Sequence, residues 1–320
     1  MRRAAPWKSI LMLAAGLGLG VAAADAALAE VCPGALASAI PERPADAPAG
    51  SDFVRQTAGL SEAAREIVIA EELVEGNLPG FLRRLRPVTL AAPRDDLRVT
   101  VCVMPDYLAL GSDEDFLRLP MALPTAVELA ELFGFLLPTR KMVDAIYAEA
   151  DVRLRPQPLP PGEAMRSTAY FWRHQGEIRA QRVALRAPLG ALIAGQKKDL
   201  VLTNRLLAKP DRVAIYGWHE DGGRPIQPLS TVHGARYADY SHGVRLVSAM
   251  AYVDGAARPL LDLLEDPRLA RLVSDEGPIS RAVLRAAGAH GRLQLSELRR
   301  SAGVERPQRV SSVLQQRKPR

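Results

Sequence analysis

The segment from residue 190 to residue 247 constrains the fold more than any other, because short apolar runs alternate there with turns. Residues 200–203, 213–217 and 244–252 have the composition of strands, and glycines punctuate the segment. The same segment contains three of the five histidines of the chain. This alternation predicts a small, mainly antiparallel sheet that carries a histidine-rich stretch.

Amphipathic segments typical of helices lie on both sides of this sheet-forming segment. Ser61 and Thr125 are placed to cap two of them. The predicted helices cover residues 61–75, 125–136, 139–150, 167–182, 260–264, 269–273 and 279–287. A further strand is predicted at residues 97–103, which are rich in β-branched residues. The sequence therefore predicts an α+β fold, in which the sheet packs against helices from both the N-terminal half and the C-terminal segment.

The two ends of the chain differ in composition from its middle. Residues 1–29 combine basic residues, a short apolar run and a small-residue cleavage pattern, which predicts a signal peptide and a periplasmic or secreted protein. Residues 30–50 are rich in alanine and proline and are predicted to form a flexible leader. Residues 51–291 are predicted to form one globular domain, with a sub-domain joint near the proline-rich residues 156–162 as an alternative. Residues 292–320 are basic and weakly periodic, which indicates a disordered tail.

The formal charge of +6 is unevenly distributed along the chain. The basic residues in excess lie before residue 30 and after residue 291, so the predicted globular domain is close to neutral. A nucleic-acid-binding protein normally carries its basic surface on the fold itself, and we therefore exclude that class of partner. No stretch beyond the signal segment is long and apolar enough to predict an integral membrane span. The oligomeric state is left open.

The chain has two cysteines, Cys32 and Cys102. In an oxidising compartment they can form one disulfide that ties the mature N-terminus to the core, and two free thiols are the alternative. A catalytic role for Cys102 is disfavoured because it lies within the strand predicted at residues 97–103, whose alternate residues are expected to be buried.

The histidine-rich stretch contains four candidate metal ligands within 24 residues: His219, His233, Asp239 and His242. Imidazole and carboxylate groups suit zinc, and three protein ligands leave a fourth position open for catalysis. We predict His233, Asp239 and His242 as the ligands and zinc as the cofactor. Asp239 and His242 converge only if the two residues between them turn, for which Gly243 is favourable.

Part of this stretch resembles a known zinc motif. Ser230, His233, Ala238 and Asp239 are similar to the zinc-binding motif of the D-alanyl-D-alanine carboxypeptidase and hedgehog-like fold. The spacing between histidine and aspartate is one residue shorter here, and the serine is displaced by one. The resemblance covers about ten of the 320 residues, so membership in that family is not inferred. It implies that residues of this kind can ligate zinc in a cell-wall peptidase.

A metal-free arrangement uses a nucleophile and a base. His219 or His233 would reach Ser241 from a neighbouring strand, and Asp239 or Asp199 would orient the base. A buried lysine of the Lys197-Lys198 pair would lower the pKa of a nucleophile or stabilise an oxyanion. The chain has no Gly-x-Ser-x-Gly elbow. The predicted catalytic residues are Lys197, Asp199, His219 and Ser241.

A third arrangement uses carboxylates for glycosidic cleavage. Asp113, Glu114 and Asp115, with Asp199 and Asp239, would supply the acid and the base. Aromatic residues would stack on sugar rings, and these are Trp172, Tyr216, Trp218, Tyr237 and Tyr240. The residues predicted to contact substrate in any of these arrangements are His174, Lys198, Trp218, Tyr237 and Tyr240.

These patterns predict an exported hydrolase that acts on cell-envelope material, a cell-wall polymer or peptide. The first prediction is metal-assisted hydrolysis of an amide in the peptide part of peptidoglycan. One alternative is a metal-free glycan hydrolase or lyase that uses carboxylates and histidine. The other is a non-catalytic protein that binds peptidoglycan or another envelope component.

Overall fold

The structure, a computed structural model, describes residues 31–92 and 96–288. The predicted signal peptide and the predicted basic tail lie outside the described residues. Within those residues the fold is α+β, as the sequence predicted. No helix of this part of the chain is long and apolar enough to cross a membrane.

The described chain forms thirteen strands, most of them short. They are β1 (Arg86–Ala91), β2 (Arg98–Val103), β3 (Ala109–Gly111), β4 (Phe116–Arg118), β5 (Phe135–Leu136), β6 (Val152–Arg153), β7 (Ile193–Ala194), β8 (Lys198–Leu200), β9 (Ile215–His219), β10 (Pro225–Ser230), β11 (His242–Gly243), β12 (Val247–Val253) and β13 (Ala256–Pro259).

Nine α-helices fall within the same ranges. They are α1 (Gly50–Thr57), α2 (Glu62–Val74), α3 (Leu123–Leu132), α4 (Arg140–Glu149), α5 (Thr168–Ala184), α6 (Arg205–Ala208), α7 (Leu260–Glu265), α8 (Ala270–Val273) and α9 (Arg281–Gly288). Three 3-10 turns supplement them at Gly34–Ala37, Gly80–Arg83 and Glu163–Arg166.

Side-chain caps begin three of the helices where the sequence placed a helix start. Ser61 accepts a hydrogen bond from the backbone of Ala64 at the start of α2, as predicted. Thr139 caps α4 in the same way, and Ser167 caps α5. Each hydroxyl satisfies a backbone N–H that has no partner within the helix.

The helix predicted at residues 125–136 is different in the structure. α3 begins two residues earlier, at Leu123, with Pro124 in its first turn, so Thr125 is not its cap. It ends at Leu132, and Gly134 adopts a positive φ of 76°. The following residues form β5 because they pair with β12, an interaction that a local pattern does not reveal.

The larger sheet has the order β1-β2-β12-β13, and β5 also pairs with β12. β2 lies inside the sheet, and its residues Val99, Val101 and Val103 are fully buried. The sequence predicted no strand at β1, which contains Pro87. Pro87 is tolerated there since β1 is an edge strand, and its residues pair in antiparallel register with β2.

The smaller sheet carries the histidine-rich stretch, as predicted, and has the order β10-β9-β8-β11. β10, β9 and β8 pair antiparallel. β11 joins β8 in parallel, which sets His242 opposite Lys198 and Gly243 opposite Asp199. This pairing brings together two parts of the chain that are more than forty residues apart.

The segment before α1, predicted as a flexible leader, lies against the core in the structure. Cys32 forms a disulfide with Cys102 of β2, which decides between the two alternatives left open for the cysteines. Ile40 is buried, and Arg43 donates a hydrogen bond to Asn77. The proline-rich segment near residues 156–162 is also attached to the fold, because the Leu159 N–H donates to the Tyr240 hydroxyl at 2.7 Å.

Candidate functional site

The smaller sheet separates the polar residues of the histidine-rich stretch into two groups. Successive side chains of a strand point to opposite faces, so Lys198 points away from the face that Lys197 and Asp199 share. Residues directly opposite each other on paired strands share a face, so His242 lies beside Lys198. Gly243 lies on the other face, where a β-carbon would stand 3.0 Å from Cβ of Lys197.

His242 is fully buried, and neither of its ring nitrogens has a hydrogen-bond partner among the described residues. Burial lowers the pKa of His242 to about 4, against the opposing effect of the Asp239 charge. The imidazole is therefore neutral at neutral pH. A buried polar group without a partner is uncommon in folded proteins and is a feature of functional sites.

A turn brings Asp239 to His242, which is the condition that their convergence required. The backbone N–H of His242 donates to the backbone carbonyl of Asp239 at 3.0 Å. Nε2 of the His242 ring lies 4.0 Å from Oδ2 of the Asp239 side chain. Burial raises the pKa of Asp239, but His242 and hydrogen bonds from Ser241 outweigh it and hold this pKa below its usual range. The carboxylate is thus ionised beside a neutral imidazole.

Ser241 donates its hydrogen bonds to the Asp239 carboxylate rather than to a histidine. Its hydroxyl donates to Oδ1 of Asp239 at 2.6 Å, and its backbone N–H donates to the same oxygen at 2.8 Å. Tyr237 donates its hydroxyl to Oδ2 at 3.1 Å. These three donors fix the orientation of the Asp239 side chain. Ser241 was predicted to pair with His219 or His233, but its hydroxyl donates to Asp239 instead.

The three predicted zinc ligands lie near one another but do not form a closed set. His233 is exposed, and its ring stacks on the Tyr237 ring at 4.1 Å. The Tyr237 ring in turn meets the His242 ring edge-on at 5.7 Å. Among residues 31–92 and 96–288, no group of three or more histidine, cysteine, aspartate or glutamate side chains is arranged to hold a metal ion.

The two lysines have different environments. Lys198 is partly exposed, and its ammonium lies 5.0 Å above the ring of Trp218, which is itself buried. Lys197 is buried and donates to the carbonyl of Tyr240 at 2.6 Å. Burial lowers both pKa values, and that of Lys197 falls to about 7. Lys198 is therefore the lysine that a bound molecule can reach without entering the core.

Asp199 lies on the buried face of the smaller sheet. Tyr107 donates its hydroxyl to Oδ2 of Asp199 at 2.7 Å, and Nε of Arg245 lies 4.0 Å from Oδ1. Burial raises the pKa of Asp199 to about 6, although Arg245 favours the ionised form. These contacts tie Asp199 to the loop after β2 and separate it from the His242 face.

His219 belongs to a second histidine–carboxylate pair. Its Nε2 lies 3.0 Å from Oδ1 of Asp144 on α4, and the Tyr216 hydroxyl donates to the same oxygen at 2.8 Å. The His219 ring also stacks on Tyr147 at 4.5 Å. The sequence did not indicate Asp144, because it lies 75 residues before His219 on a helix with an ordinary amphipathic pattern.

Three of the five residues predicted to contact substrate are buried, namely His174, Trp218 and Tyr240. His174 is fully buried, its ring lies 5.0 Å from that of Tyr240, and burial lowers its pKa to about 2. Tyr240 is buried as well. Of the five predicted contact residues, Lys198 and Tyr237 are the two with substantial exposure.

A group of buried charges that the sequence did not reveal lies near Lys197. Asp106 forms an ion pair with Arg118 at 2.5 Å and a longer one with Arg182 at 3.4 Å. Gln196 donates to the same carboxylate at 3.1 Å. The sequence did not reveal this group because its contacts join residues up to 90 positions apart.

A cavity of about 520 Å³ opens beside these buried charges, between the loop before β4 and one side of α5. Asp113, Glu114, Asp115 and Trp172 line it, so the structure brings together part of the set predicted for glycosidic cleavage. Asp199 and Asp239 do not line it. Asp113 accepts a hydrogen bond from the backbone of Phe81, and Asp115 accepts one from the Ser51 hydroxyl.

The His242 group has the components of acid–base chemistry. A neutral imidazole can accept a proton, a fixed carboxylate can stabilise the imidazolium that results, and a nearby ammonium can stabilise a developing negative charge. The residues concerned are His242, Asp239 and Lys198. The geometry is the basis for this assignment, since no known protein family, no curated protein and no solved structure matches the chain.

Proposed function

We propose that this protein is an exported hydrolase that cleaves an amide bond in the peptide part of the cell envelope. The observation that carries the proposal is the state of His242. It is fully buried, its ring nitrogens have no partner among the described residues, and Asp239 lies 4.0 Å away. A histidine in this state has a free lone pair and an ionised carboxylate to stabilise its protonated form.

In the proposed mechanism His242 removes a proton from a water molecule as the water oxygen attacks the amide carbonyl. Lys198 stabilises the negative charge that develops on the carbonyl oxygen. The His242 imidazolium, stabilised by Asp239, then returns the proton to the leaving amine. Ser241 and Tyr237 act on the carboxylate by holding both of its oxygens in place.

Substrate access in this proposal requires movement of one side chain. His242 is enclosed, and the partly exposed ring of Tyr237 meets it edge-on. Tyr237 is held by its hydrogen bond to Asp239 and by stacking on the exposed His233 ring. We propose that Tyr237 swings aside when substrate binds, and that His233 and Lys198 then flank the opening.

Export is supported by two independent features. The N-terminal sequence has the composition of a signal peptide. The disulfide between Cys32 and Cys102 is of a kind that persists in oxidising compartments such as the periplasm or the extracellular space. An exported hydrolase meets cell-envelope polymers as its nearest substrates, which supports a peptidoglycan peptide as the class of substrate.

The metal-assisted form of the reaction stays a prediction. It would use His233, Asp239 and His242 as ligands. The Tyr237 ring lies between the two histidines and contacts both of their rings. The proposed mechanism assigns the proton transfer to His242 itself, so the two forms differ in their response to a chelator. A metal-assisted enzyme loses activity when the metal is removed, and the mechanism proposed here does not require one.

The glycan alternative relies on the acidic loop at residues 113–115. Asp113 and Asp115 are engaged with the backbone of Phe81 and with Ser51, where they fix the starts of neighbouring helical segments. Carboxylates held in this way have a structural role. We therefore do not assign them the acid and base of glycosidic cleavage.

The test is an assay of the purified exported protein on peptidoglycan sacculi, with new amino groups and released peptides measured by mass spectrometry. We expect His242→Gln to lower the rate about 100-fold or more, the loss typical of a removed general base. Asp239→Asn should lower it less. Lys209→Ala, at an exposed lysine that has no role in the proposed mechanism, is the control and should leave the rate unchanged.

Three results would contradict the proposal. Unaltered hydrolysis by His242→Gln would remove His242 from the mechanism. New reducing sugar ends without new amino groups would favour the glycan alternative. Binding to sacculi without any cleavage would favour the envelope-binding alternative. Zinc content and chelator sensitivity, measured on the same samples, decide separately between the metal-assisted and metal-free forms.

A further inference from the structure

The cavity of about 520 Å³ beside α5 has its own chemistry, separate from the His242 group. Its floor is formed by Arg118 and Arg182, both buried and both paired with Asp106. Asp106 compensates one of these two positive charges and holds both side chains in place, so the floor is a rigid polar surface with a net positive charge. His242, Asp239 and Lys198 do not line the cavity.

Two further arginines line the same cavity from α5 and the turn after it. Arg179 and Arg186 are exposed, and neither guanidinium group forms a hydrogen bond or ion pair with another described residue. A guanidinium group presents planar donors that match the two oxygens of a carboxylate. One wall of the cavity is therefore suited to an anionic group.

The cavity also has an apolar and aromatic side. Trp172 lines it, and Val183 and Leu189 line it with large exposed fractions, 71% and 41% respectively. Exposed apolar residues that border a concave site are typical of a binding surface. A tryptophan presents a flat face on which the C–H face of a sugar ring can pack.

The opposite wall is acidic. Glu114 is exposed, and the neighbouring Asp113 and Asp115 each hold further lone pairs beyond their hydrogen bonds to Phe81 and Ser51. Ionised carboxylates accept hydrogen bonds only, so this wall favours a ligand that offers hydroxyl or amide donors. A second anionic group would be repelled there.

We propose that this cavity binds an acidic saccharide of the cell envelope, a sugar ring linked to a carboxylate-bearing group. The sugar ring packs on Trp172 and donates hydroxyls to the acidic loop, while the carboxylate binds Arg179 and Arg186. The choice of an envelope ligand rests on the proposed function. The cavity then holds the saccharide part of the substrate while the peptide part is cleaved elsewhere on the protein.

The experiment measures binding by calorimetry to the full exported protein carrying His242→Gln, so that no turnover interferes. Three probes separate the features of the ligand. N-acetylmuramyl-L-alanyl-D-isoglutamine has a sugar and a carboxylate, the N-acetylglucosamine dimer has sugar without charge, and L-alanyl-D-isoglutamine has the acidic peptide without sugar. We expect the first to bind at least tenfold more tightly than either of the others.

Variants then locate the binding site. Arg179→Ala with Arg186→Ala should weaken binding of the muramyl peptide about tenfold or more, and added salt should weaken binding to the unaltered protein. Arg173→Ala, an exposed arginine on the same helix that does not line the cavity, is the matched control and should bind normally. Circular dichroism of each variant confirms that the fold is retained.

Equal binding of the charged and uncharged sugars, or equal binding of the peptide alone, would overturn the proposal. Normal binding by the double arginine variant would overturn it as well. The proposed hydrolysis is judged separately, because binding to the His242→Gln protein does not depend on turnover. Binding without hydrolysis by the unaltered protein would reject the proposed function and leave the saccharide site in place.

Discussion

Oδ2 of Asp239 lies 4.0 Å from Nε2 of His242, one turn further along the chain. This distance exceeds a hydrogen bond, so the two groups interact through charge rather than by sharing a proton. Asp239 cannot rotate freely towards the ring, because Ser241 and Tyr237 bind its two oxygens. The carboxylate therefore raises the pKa of His242 while burial lowers it, and burial is the larger effect.

The first prediction concerns the pH dependence of hydrolysis. His242 must be neutral to act as a base, so kcat/KM should stay constant above its pKa and fall as the pH drops through about 4. Asp239→Asn removes the negative charge that raises this pKa, so the acid limb should move to lower pH. The measurement is the rate on a soluble muropeptide from pH 3 to 8. An acid limb at pH 6 to 7 would contradict this assignment.

Local patterns in the sequence predicted much of the fold. The caps at Ser61, Thr139 and Ser167 begin helices because a hydroxyl before an amphipathic segment acts over three residues. The turn that joins Asp239 to His242 is local in the same sense, and it was named as the condition for their convergence, with Gly243 as the favourable residue. The α+β class followed from the alternation of such segments.

The rest of the site depends on contacts that no local pattern encodes. Asp144 reaches His219 across 75 residues, and Asp106 reaches Arg182 across 76. The parallel pairing that sets His242 beside Lys198 also joins residues that are far apart in the sequence. The sequence identified His174 and Tyr240 as polar or aromatic and thus as substrate contacts, but in the structure the two rings pack against each other and both residues are buried.

The second prediction concerns Gly243, which lies where β11 meets the Tyr107 ring. A β-carbon at this position would stand 2.5 Å from Cδ1 of Tyr107 and 3.0 Å from Cβ of Lys197. Gly243→Ala should therefore lower the free energy of unfolding by about 1–3 kcal/mol, measured by urea denaturation. Gly222→Ala is the control, because a β-carbon there meets nothing within 4 Å. Equal free energies of unfolding for the two variants would show that the Tyr107 ring moves aside without loss of stability.

The third prediction concerns the disulfide between Cys32 and Cys102, which closes a loop between residues 70 positions apart. A loop of this size restricts the unfolded chain, and its loss should lower the free energy of unfolding by about 4 kcal/mol. The Cys32→Ala, Cys102→Ala double variant should have the same free energy of unfolding as the unaltered protein treated with reductant. A difference below about 1 kcal/mol would show that the buried contacts around Ile40 hold the N-terminal segment without the bond.

The fourth prediction concerns His174, whose buried ring has a folded-state pKa of about 2. Its ordinary value in the unfolded chain is about 6.5, so below that pH the unfolded state binds one more proton than the folded state. Stability is therefore lost as the pH falls from 6.5, by up to about 3 kcal/mol at pH 4 from this residue alone.

His174→Phe removes the titrating group and keeps an aromatic ring beside Tyr240, so the variant should lose less stability over this range than the unaltered protein. Urea denaturation at pH 7, 5.5 and 4 measures the difference between the two proteins. His233→Gln, a change at an exposed histidine, is the control and should keep the original slope. If the free energy of unfolding falls equally with pH in His174→Phe and in the unaltered protein, His174 is protonated in the folded state. That outcome would contradict the structure, in which neither ring nitrogen of His174 has a partner among the described residues.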